Sequence, residues 1–265
     1  MLIPEGRKGA FRLSVCAEWI YLSLPVVERA KKLNQAGFLA EFWTLPSPDI
    51  DALAKAETQV STIAVPTEGS MVHPDGVEPL LASLRQDLLI AEKLRCSKFV
   101  LSLGVLGPNG EVIHAIADHP ATRWITAYKT LCRIAELAEK HNVVYNLEPL
   151  NTKIDHPGYM ISRIGDAVRL IEQVGSPRVK ILFDIYHQQV EEGNTIQLIR
   201  DYHPYIGYIH VADVPGRHEP GTGEINYPKV AEALREVGYQ GVVGLEAIPL
   251  VDDEQALARF RELFG

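Results

Sequence analysis

The sequence predicts an α/β protein that folds as a (β/α)8 TIM barrel, with residues 1–265 forming a single domain. Short apolar runs rich in β-branched and aromatic residues alternate with longer stretches of helical periodicity, and the 265 residues hold eight such pairs. Strict alternation of this kind gives a parallel sheet with right-handed crossovers, and eight repeats in roughly 250 residues match a closed barrel. A doubly wound open sheet is disfavoured, because AEWIYLSLP rather than a glycine-rich phosphate loop follows the first strand.

The predicted strands are short and almost wholly apolar, as expected when both faces of a parallel sheet are covered. They span residues 12–16, 38–42, 61–65, 98–103, 143–148, 180–184, 208–211 and 242–246. Between them, apolar residues recur at three- and four-residue steps, which is typical of helices that bury one face. Gly37, Gly175 and Gly238 each stand where such a segment stops, and glycine there is predicted to end the helix in a left-handed conformation.

Composition excludes several classes of protein. The net charge of −8 disfavours binding to phosphate backbones, so we expect no nucleic-acid partner. The cysteines, Cys16, Cys96 and Cys132, are odd in number and widely spaced, which is typical of a protein in a reducing compartment. No apolar run approaches the ~18 residues of a membrane span, and the N-terminus lacks the apolar core of a signal peptide. We therefore expect a cytoplasmic protein that acts on a small molecule, has no membrane partner and can form a homo-oligomer.

Polar residues end the last four predicted strands. Glu148, Asp184, His210 and Glu246 follow buried runs at spacings of 36, 26 and 36 residues, about one β/α unit apiece. The carboxyl ends of parallel barrel strands share one rim, so these four side chains are predicted to converge there. Three carboxylates crowded together repel one another unless a cation compensates them. We therefore predict a metal site, and its oxygen and imidazole ligands favour Mg²⁺, Mn²⁺ or Co²⁺.

The same residues predict a chemistry. A divalent ion polarises a carbonyl group and stabilises an enediolate, while Glu148 and Glu246 are predicted to act as acid and base from opposite faces of the substrate. Four further residues are predicted to bind substrate. His187 lies three residues after Asp184, and Trp19 follows the first strand. The other two, Arg217 and Glu224, lie in the glycine- and proline-rich loop after His210.

Several motifs resemble the hydroxypyruvate isomerase family, within the xylose isomerase-like barrels. The string PGRHEPGTGEINY, from Pro215 to Tyr227, carries most of the likeness, and FDIYH, LEPLN and the Pro157-Gly158 pair add to it. The resemblance implies a metal-assisted aldose–ketose isomerase that interconverts hydroxypyruvate and tartronate semialdehyde or a close analogue. It implies that Glu148 and Glu246 are the acid–base pair, that Asp184 and His210 complete the metal shell, and that His187 and Arg217 contact substrate.

Two departures from that family keep other functions open. His210 stands where many hydroxypyruvate isomerases have glutamine and is more like ketose 3-epimerases, and Ile248 stands where the family usually has lysine. A ketose 3-epimerase is therefore the first alternative, and a dehydratase of a cyclic polyol or ketone is a second. A non-catalytic sugar-binding module is a third, whereas a DNA-repair endonuclease would need a basic groove and is disfavoured.

Overall fold

Eight parallel strands form a closed barrel in which each strand is hydrogen-bonded to its neighbours in sequence order, from β1 round to β8 and back to β1. The computed structural model describes residues 11–43, 47–65, 68–107, 110–113 and 118–265. This confirms the predicted barrel, and each observed strand lies within two residues of its predicted bounds. The strands are β1 Arg12–Cys16, β2 Leu39–Phe42, β3 Val60–Val65, β4 Lys98–Leu101, β5 Val144–Leu147, β6 Val179–Asp184, β7 Ile206–Val211 and β8 Val242–Leu245.

The connections between strands are mostly helical. The helices are α1 Val26–Gln35, α2 Ser47–Lys55, α3 Val77–Leu94, α4 Pro120–His141, α5 Ile164–Val174, α6 Ile185–Glu191, α7 Thr195–Tyr202, α8 Tyr227–Glu236 and α9 Asp253–Phe264. Two single 3₁₀ turns, Pro74–Gly76 and His203–Tyr205, precede α3 and β7. Gly37, Gly175 and Gly238 follow α1, α5 and α8 with φ of +87°, +71° and +69°, which confirms their predicted left-handed conformation.

The main core lies between the barrel and its ring of helices. Leu80, Leu84 and Leu88 of α3 and Leu131 and Ile134 of α4 are buried in it, as their spacing predicts. Among the described residues no helix is both long and apolar enough to cross a membrane. Packing of the helices against the barrel holds the strands in position, and the carboxyl ends of the strands carry the polar residues of interest.

The interior of the barrel holds a second set of side chains. Residues that alternate along a strand point to opposite faces of the sheet. In β7, Ile209 and Val211 belong to the main core under the helices. Tyr208, by contrast, reaches Ser61 of β3 across the barrel, with 2.9 Å between their hydroxyl oxygens. His210 lies two residues beyond Tyr208, so it too points inward, one layer nearer the carboxyl end.

Candidate active site

Four side chains that could hold a metal ion meet at the carboxyl end of the barrel. Glu148, Asp184, His187 and Glu246 each offer one ligand atom, these four atoms lie within 4.8 Å of one another, and all four residues are buried. Glu148 directly follows β5, Asp184 ends β6 and Glu246 directly follows β8. Three of the four predicted ligands therefore converge at one rim. The histidine of this group is His187, and the predicted ligand His210 lies beside it.

The start of α6 sets the orientation of Asp184. Its Oδ1 accepts hydrogen bonds from the backbone N–H groups of Tyr186 at 2.7 Å and His187 at 3.3 Å, so Asp184 is the N-cap of that helix. The other oxygen, Oδ2, faces the site and lies 3.5 Å from His187 Nε2. Because capping occupies one oxygen, the carboxylate presents its second oxygen to the centre in a fixed direction.

Asn151 determines which ring nitrogen of His187 carries a proton. The Asn151 Oδ1 accepts the backbone N–H groups of Ile154 and Asp155 at 3.1 and 3.0 Å, which identifies the other atom of the amide as the nitrogen. That Nδ2 lies 2.6 Å from Asp155 Oδ2 and 2.7 Å from His187 Nδ1, so the His187 Nδ1 is an acceptor. Burial, followed by the charge of Arg217, lowers the pKa of His187 well below its usual range. His187 is therefore neutral, and its Nε2–H points toward Asp184.

His210 faces carboxylates on both sides of its ring. Nδ1 lies 3.6 Å from Glu246 Oε1 and 3.9 Å from Glu148 Oε1, while Nε2 lies 3.3 Å from Glu41 Oε1. The ring is buried, and neither nitrogen has a hydrogen-bond partner among the described residues. Burial alone lowers the pKa of His210, but the charges of Glu246, Glu41 and Glu148 outweigh it and raise the pKa to about 10.

Arg217 brings a positive charge to the same carboxylates. Its Nη2 pairs with Glu246 Oε2 and lies 3.4 Å from Asp184 Oδ2. Its guanidinium also lies over the rings of Trp19 and Tyr186, 4.9 and 4.8 Å from their centroids. The loop that carries Arg217 is joined to the segment that follows β8, where the backbone carbonyl of Arg217 accepts the N–H of Ile248 at 2.8 Å. A hydrogen-bonded loop and two aromatic rings therefore hold Arg217 next to the acidic group.

Asp213 fixes the shape of that loop from within. Asp213 is fully buried, and its Oδ1 accepts the backbone N–H groups of Val214 at 2.9 Å and Ile225 at 3.0 Å. Its Oδ2 accepts the N–H of Gly221 at 2.8 Å. One carboxylate thus satisfies three backbone donors spread over twelve residues, which is why a glycine- and proline-rich segment holds Arg217 in one place.

The two glutamates at the centre hold protons more tightly than exposed ones. Burial raises the pKa of Glu246 to about 7, although the charges of His210 and Arg217 act in the opposite direction. Burial and the nearby charge of Glu246 raise the pKa of Glu148 well above its usual range. A carboxyl group whose pKa lies near neutrality, as that of Glu246 does, accepts and releases protons efficiently at physiological pH. The pair is therefore suited to acid–base chemistry.

The donor set fits a divalent cation. Buried carboxylates around the centre outnumber the two cationic groups, Arg217 and His210, and oxygen with imidazole nitrogen suits hard or borderline metals. The unpartnered Nδ1 of His210 faces Glu148 and Glu246, at the side of the centre where a cation would lie. Leaving buried polar atoms without partners is costly, and a metal ion satisfies them.

Two of the cavities at this end of the barrel are lined in part by residues of the site. The larger, of about 510 Å³, is walled by Glu148 and His187 together with mainly apolar residues such as Val65, Leu106 and Leu150. The smaller, of about 380 Å³, is lined by Trp19, Ile154, Asp155, Tyr186, Val214, Pro215, Gly216, Arg217 and Ile248. The part of each lining that the structure describes includes no lysine. A bound carboxylate would therefore find its cationic partner in Arg217.

The predicted substrate-binding residues fall into two groups. His187, Arg217 and Trp19 lie at the cavities, and the ring centroids of Trp19 and Trp43 are 5.5 Å apart. Glu224 is exposed and lies outside both linings, and its Oε1 accepts a hydrogen bond from Gln189 Nε2 at 3.3 Å. A role for Glu224 in binding substrate stays a prediction, and its position next to Gln189 gives it no contact with the acidic group.

Two buried polar residues of the site escaped the sequence-based prediction. Asn151 orients His187, and Glu41 of β2 lies against His210. A signal for Glu41 was available, because it is a charged residue inside the otherwise apolar strand LAEF. The role of Asn151 depends on a hydrogen bond to a residue 36 positions away, which no local pattern indicates.

Comparison with known proteins places these features in a family. Residues 45–263 match the family model described as xylose isomerase-like TIM barrel. A protein of Mus musculus named putative hydroxypyruvate isomerase is 30% identical over 264 residues, covering 94% of each chain. A 2-oxo-tetronate isomerase of Pectobacterium atrosepticum is 30% identical over 251 residues, covering 90% of this chain and 92% of the relative.

The solved structures agree on the fold. A crystal structure described as AP endonuclease, family 2, from Brucella melitensis superimposes with a TM-score of 0.85 at 26% sequence identity. The superposition covers 96% of this chain and 99% of that one. The barrel and its strand ends are therefore shared over nearly the whole length of both proteins.

Proposed function

The chain belongs to the xylose isomerase-like TIM barrel family, and from that we propose that it is a metal-assisted isomerase of a small hydroxy-carbonyl compound. The proposed reaction moves a proton between adjacent carbons through an enediolate, as in the interconversion of hydroxypyruvate and tartronate semialdehyde. One observation carries the proposal: Glu148 and Glu246, both with raised pKa values, meet in a buried group with Asp184 that also fits a divalent ion.

The proposed ligands are Glu148, Asp184, His210 and Glu246. His187 belongs to the group whose ligand atoms lie within 4.8 Å of one another, but its Nδ1 accepts from Asn151, so its Nε2 carries a proton and has no lone pair to offer. His210 turns Nδ1 toward two of the carboxylates and Nε2 toward Glu41. A divalent ion bound there supplies positive charge that stabilises negative charge developing on substrate oxygens.

The side chains of this protein perform the proton transfers. One of the two glutamates removes a proton from the carbon next to the carbonyl group, which leaves the substrate as an enediolate. The same or the other glutamate then delivers a proton to the neighbouring carbon, while the proton on one substrate oxygen moves to the other. Positioned acid–base groups of this kind contribute about 10²–10⁴-fold to the rate. The neutral His187 donates its Nε2–H to a substrate oxygen, and Arg217 pairs with an anionic or hydroxyl-rich part of the substrate.

A ketose 3-epimerase is the second candidate, and the cavity linings favour it. Epimerisation uses the same two glutamates but returns the proton to the carbon from which it came. The larger cavity is lined mainly by apolar residues, and Ile248 of the smaller cavity is half-exposed and carries no charge. A neutral ketose has no carboxylate and therefore needs hydrogen-bonding groups but no cationic partner. Both substrate classes therefore belong in the test.

The test is an assay of the purified protein with Mn²⁺, Mg²⁺ or Co²⁺ against hydroxypyruvate, 2-oxo-tetronate and neutral ketoses in D₂O. We expect product formation with deuterium incorporated at a carbon next to the carbonyl group. A product changed at one stereocentre supports the epimerase, and a product lighter by one water supports a dehydratase. Saturable binding without turnover or exchange contradicts the proposed catalysis.

Variants of the two glutamates locate the exchange. Glu148→Gln and Glu246→Gln are each expected to lower the exchange rate by about 10²-fold or more, because glutamine cannot accept the proton. Asp87→Asn is the matched control, since Asp87 is a buried carboxylate of α3 that contacts Ser83 and lies outside the site. Exchange that persists in both glutamate variants would exclude the mechanism.

A further inference from the structure

We infer that Glu41 is a positioning residue that fixes His210 in the orientation and tautomer needed to bind a divalent ion. The inference rests on the metal site of the proposed function and adds a residue from β2, on the opposite side of His210 from Glu148 and Glu246. Glu41 is 1% exposed, and its Oε1 lies 3.3 Å from His210 Nε2. The other nitrogen, Nδ1, faces Glu148 and Glu246.

The register of the barrel sets this pairing. His210 of β7 stands beside Gly244 of β8, and Glu41 of β2 stands beside Cys16 of β1. Since β8 and β1 are themselves neighbours, Glu41 and His210 belong to inward-facing positions near the same level of a closed barrel. Their side chains therefore meet inside the barrel, under the proposed metal ligands.

Gly244 makes room for the contact. A Cβ atom at this position would lie 2.7 Å from Glu41 Oε2 and 2.9 Å from His210 Cδ2, closer than non-bonded atoms approach. The backbone of Gly244 does not have a positive φ, so its conformation does not require glycine. The absence of a side chain on β8 is thus explained by the close approach of Glu41 and His210.

A chain of hydroxyl groups holds Glu41 in place. Tyr208 donates its hydroxyl proton to Glu41 Oε2 at 2.5 Å. The Tyr208 oxygen lies 2.9 Å from the Ser61 Oγ, which in turn lies 2.6 Å from the Ser14 Oγ. These contacts join β7, β3 and β1 to Glu41 and leave its Oε1 directed at His210. A buried carboxylate with this support has little freedom to turn away.

The chemistry of imidazole gives the pairing its consequence. A carboxylate is an acceptor, so Glu41 favours a proton on the His210 Nε2 that faces it. The lone pair of a neutral His210 then lies on Nδ1, which faces the centre. Glu41 Oε1 and His210 Nε2 lie at ion-pair distance, 3.3 Å, without the geometry of a hydrogen bond. Histidines that bind metals characteristically direct their other N–H at such a carboxylate, and loss of the partner costs about 10–100-fold in metal affinity. We therefore assign Glu41 to the support of the His210 ligand rather than to contact with substrate.

The test is the Mn²⁺ dissociation constant of the full-length protein, measured by electron paramagnetic resonance of the free ion. Glu41→Gln is expected to raise the dissociation constant about 10–100-fold. Asp87→Asn, which also removes one buried carboxylate, is expected to leave it within about threefold, because Asp87 does not contact the site. Unchanged Mn²⁺ affinity in Glu41→Gln would overturn the inference.

A double-mutant cycle separates positioning from the general effect of a negative charge. In a His210→Asn background the Glu41→Gln substitution is expected to change Mn²⁺ affinity by less than about threefold, since the residue it positions is gone. An undiminished loss in that background would show that Glu41 acts through its charge alone, and would also overturn the inference. Absence of Mn²⁺ binding to the unsubstituted protein contradicts the metal site and the inference together, whereas normal binding with a silent Glu41→Gln contradicts the inference alone.

Gly244→Ala gives an independent route if Glu41→Gln does not fold. Its Cβ is expected to push Glu41 and His210 apart without removing either group, and to weaken Mn²⁺ binding at least tenfold. Circular dichroism of the metal-free variant reports whether the barrel is intact. A folded Gly244→Ala protein with unchanged Mn²⁺ affinity would count against the pairing.

Discussion

Replacing Glu148 by glutamine is expected to change the stability of the protein in opposite directions with and without a metal ion. Without a metal, Glu148, Asp184 and Glu246 crowd together, and burial with the charge of Glu246 raises the pKa of Glu148 well above its usual range. A buried acid with a raised pKa costs the folded state stability once the pH exceeds its ordinary value, because ionisation is then easier in the unfolded chain. Glutamine removes that cost, so Glu148→Gln melts at or above the unsubstituted protein in EDTA.

With a metal ion the order reverses. A ligand that binds only the folded state at 100 times its dissociation constant adds about 2.7 kcal/mol. In a domain of this size 1 kcal/mol moves the melting temperature by about 2 °C, so saturating Mn²⁺ is expected to raise it by about 5 °C. Glu148→Gln has lost one ligand and should lose most of that rise.

Differential scanning calorimetry at pH 7.5 measures both effects, with each protein scanned in EDTA and in Mn²⁺. Asp87→Asn serves as the control that keeps the full Mn²⁺ shift. Two results would refute the reasoning: a Glu148→Gln protein that melts far below the unsubstituted one in EDTA, or one that retains the whole shift in Mn²⁺. The first would mean that Glu148 stabilises the metal-free fold, and the second that it does not bind the ion.

Two further predictions concern Asp87 and Asn151. Burial raises the pKa of Asp87 to about 6, so its neutral form favours the fold; that stability is complete below about pH 4 and is lost as the pH rises through 6. Asp87→Asn is therefore expected to gain about 2 kcal/mol at pH 7.5 and almost nothing at pH 4, and urea unfolding at the two pH values checks this. Asn151→Asp removes the donor to His187 Nδ1 and is expected to lower kcat about 100-fold while Mn²⁺ affinity is not weakened; a parallel loss of affinity in the Mn²⁺ titration would show that Asn151 supports the metal site instead.

Local sequence patterns predicted most of the fold. Strand lengths and the alternation of strand with helix predicted the closed barrel, and Gly37, Gly175 and Gly238 marked helix ends because their role depends only on their own backbone. The rim was also predictable, since the topology alone brings strand ends together. Glu148, Asp184 and Glu246 meet for that reason.

Such patterns could not predict which way the side chains of the site point or which residues they contact. The different roles proposed for His187 and His210 rest on their contacts with Asn151 and Glu41, which lie 36 and 169 residues away along the chain. The exposed position of Glu224 beside Gln189 likewise depends on how its loop folds around Asp213. Sequence therefore located the centre, whereas the proposed distinction between metal ligand and substrate-binding group rests on tertiary contacts.

Anomalous diffraction from a crystal soaked in Mn²⁺, collected at the manganese edge, tests the proposed centre most directly. We expect one strong peak bonded to carboxylate oxygens of Glu148, Asp184 and Glu246 and to Nδ1 of His210, with His187 Nε2 outside bonding distance. A peak bonded to His187 in place of His210, or no peak between these residues at saturating Mn²⁺, would contradict the account.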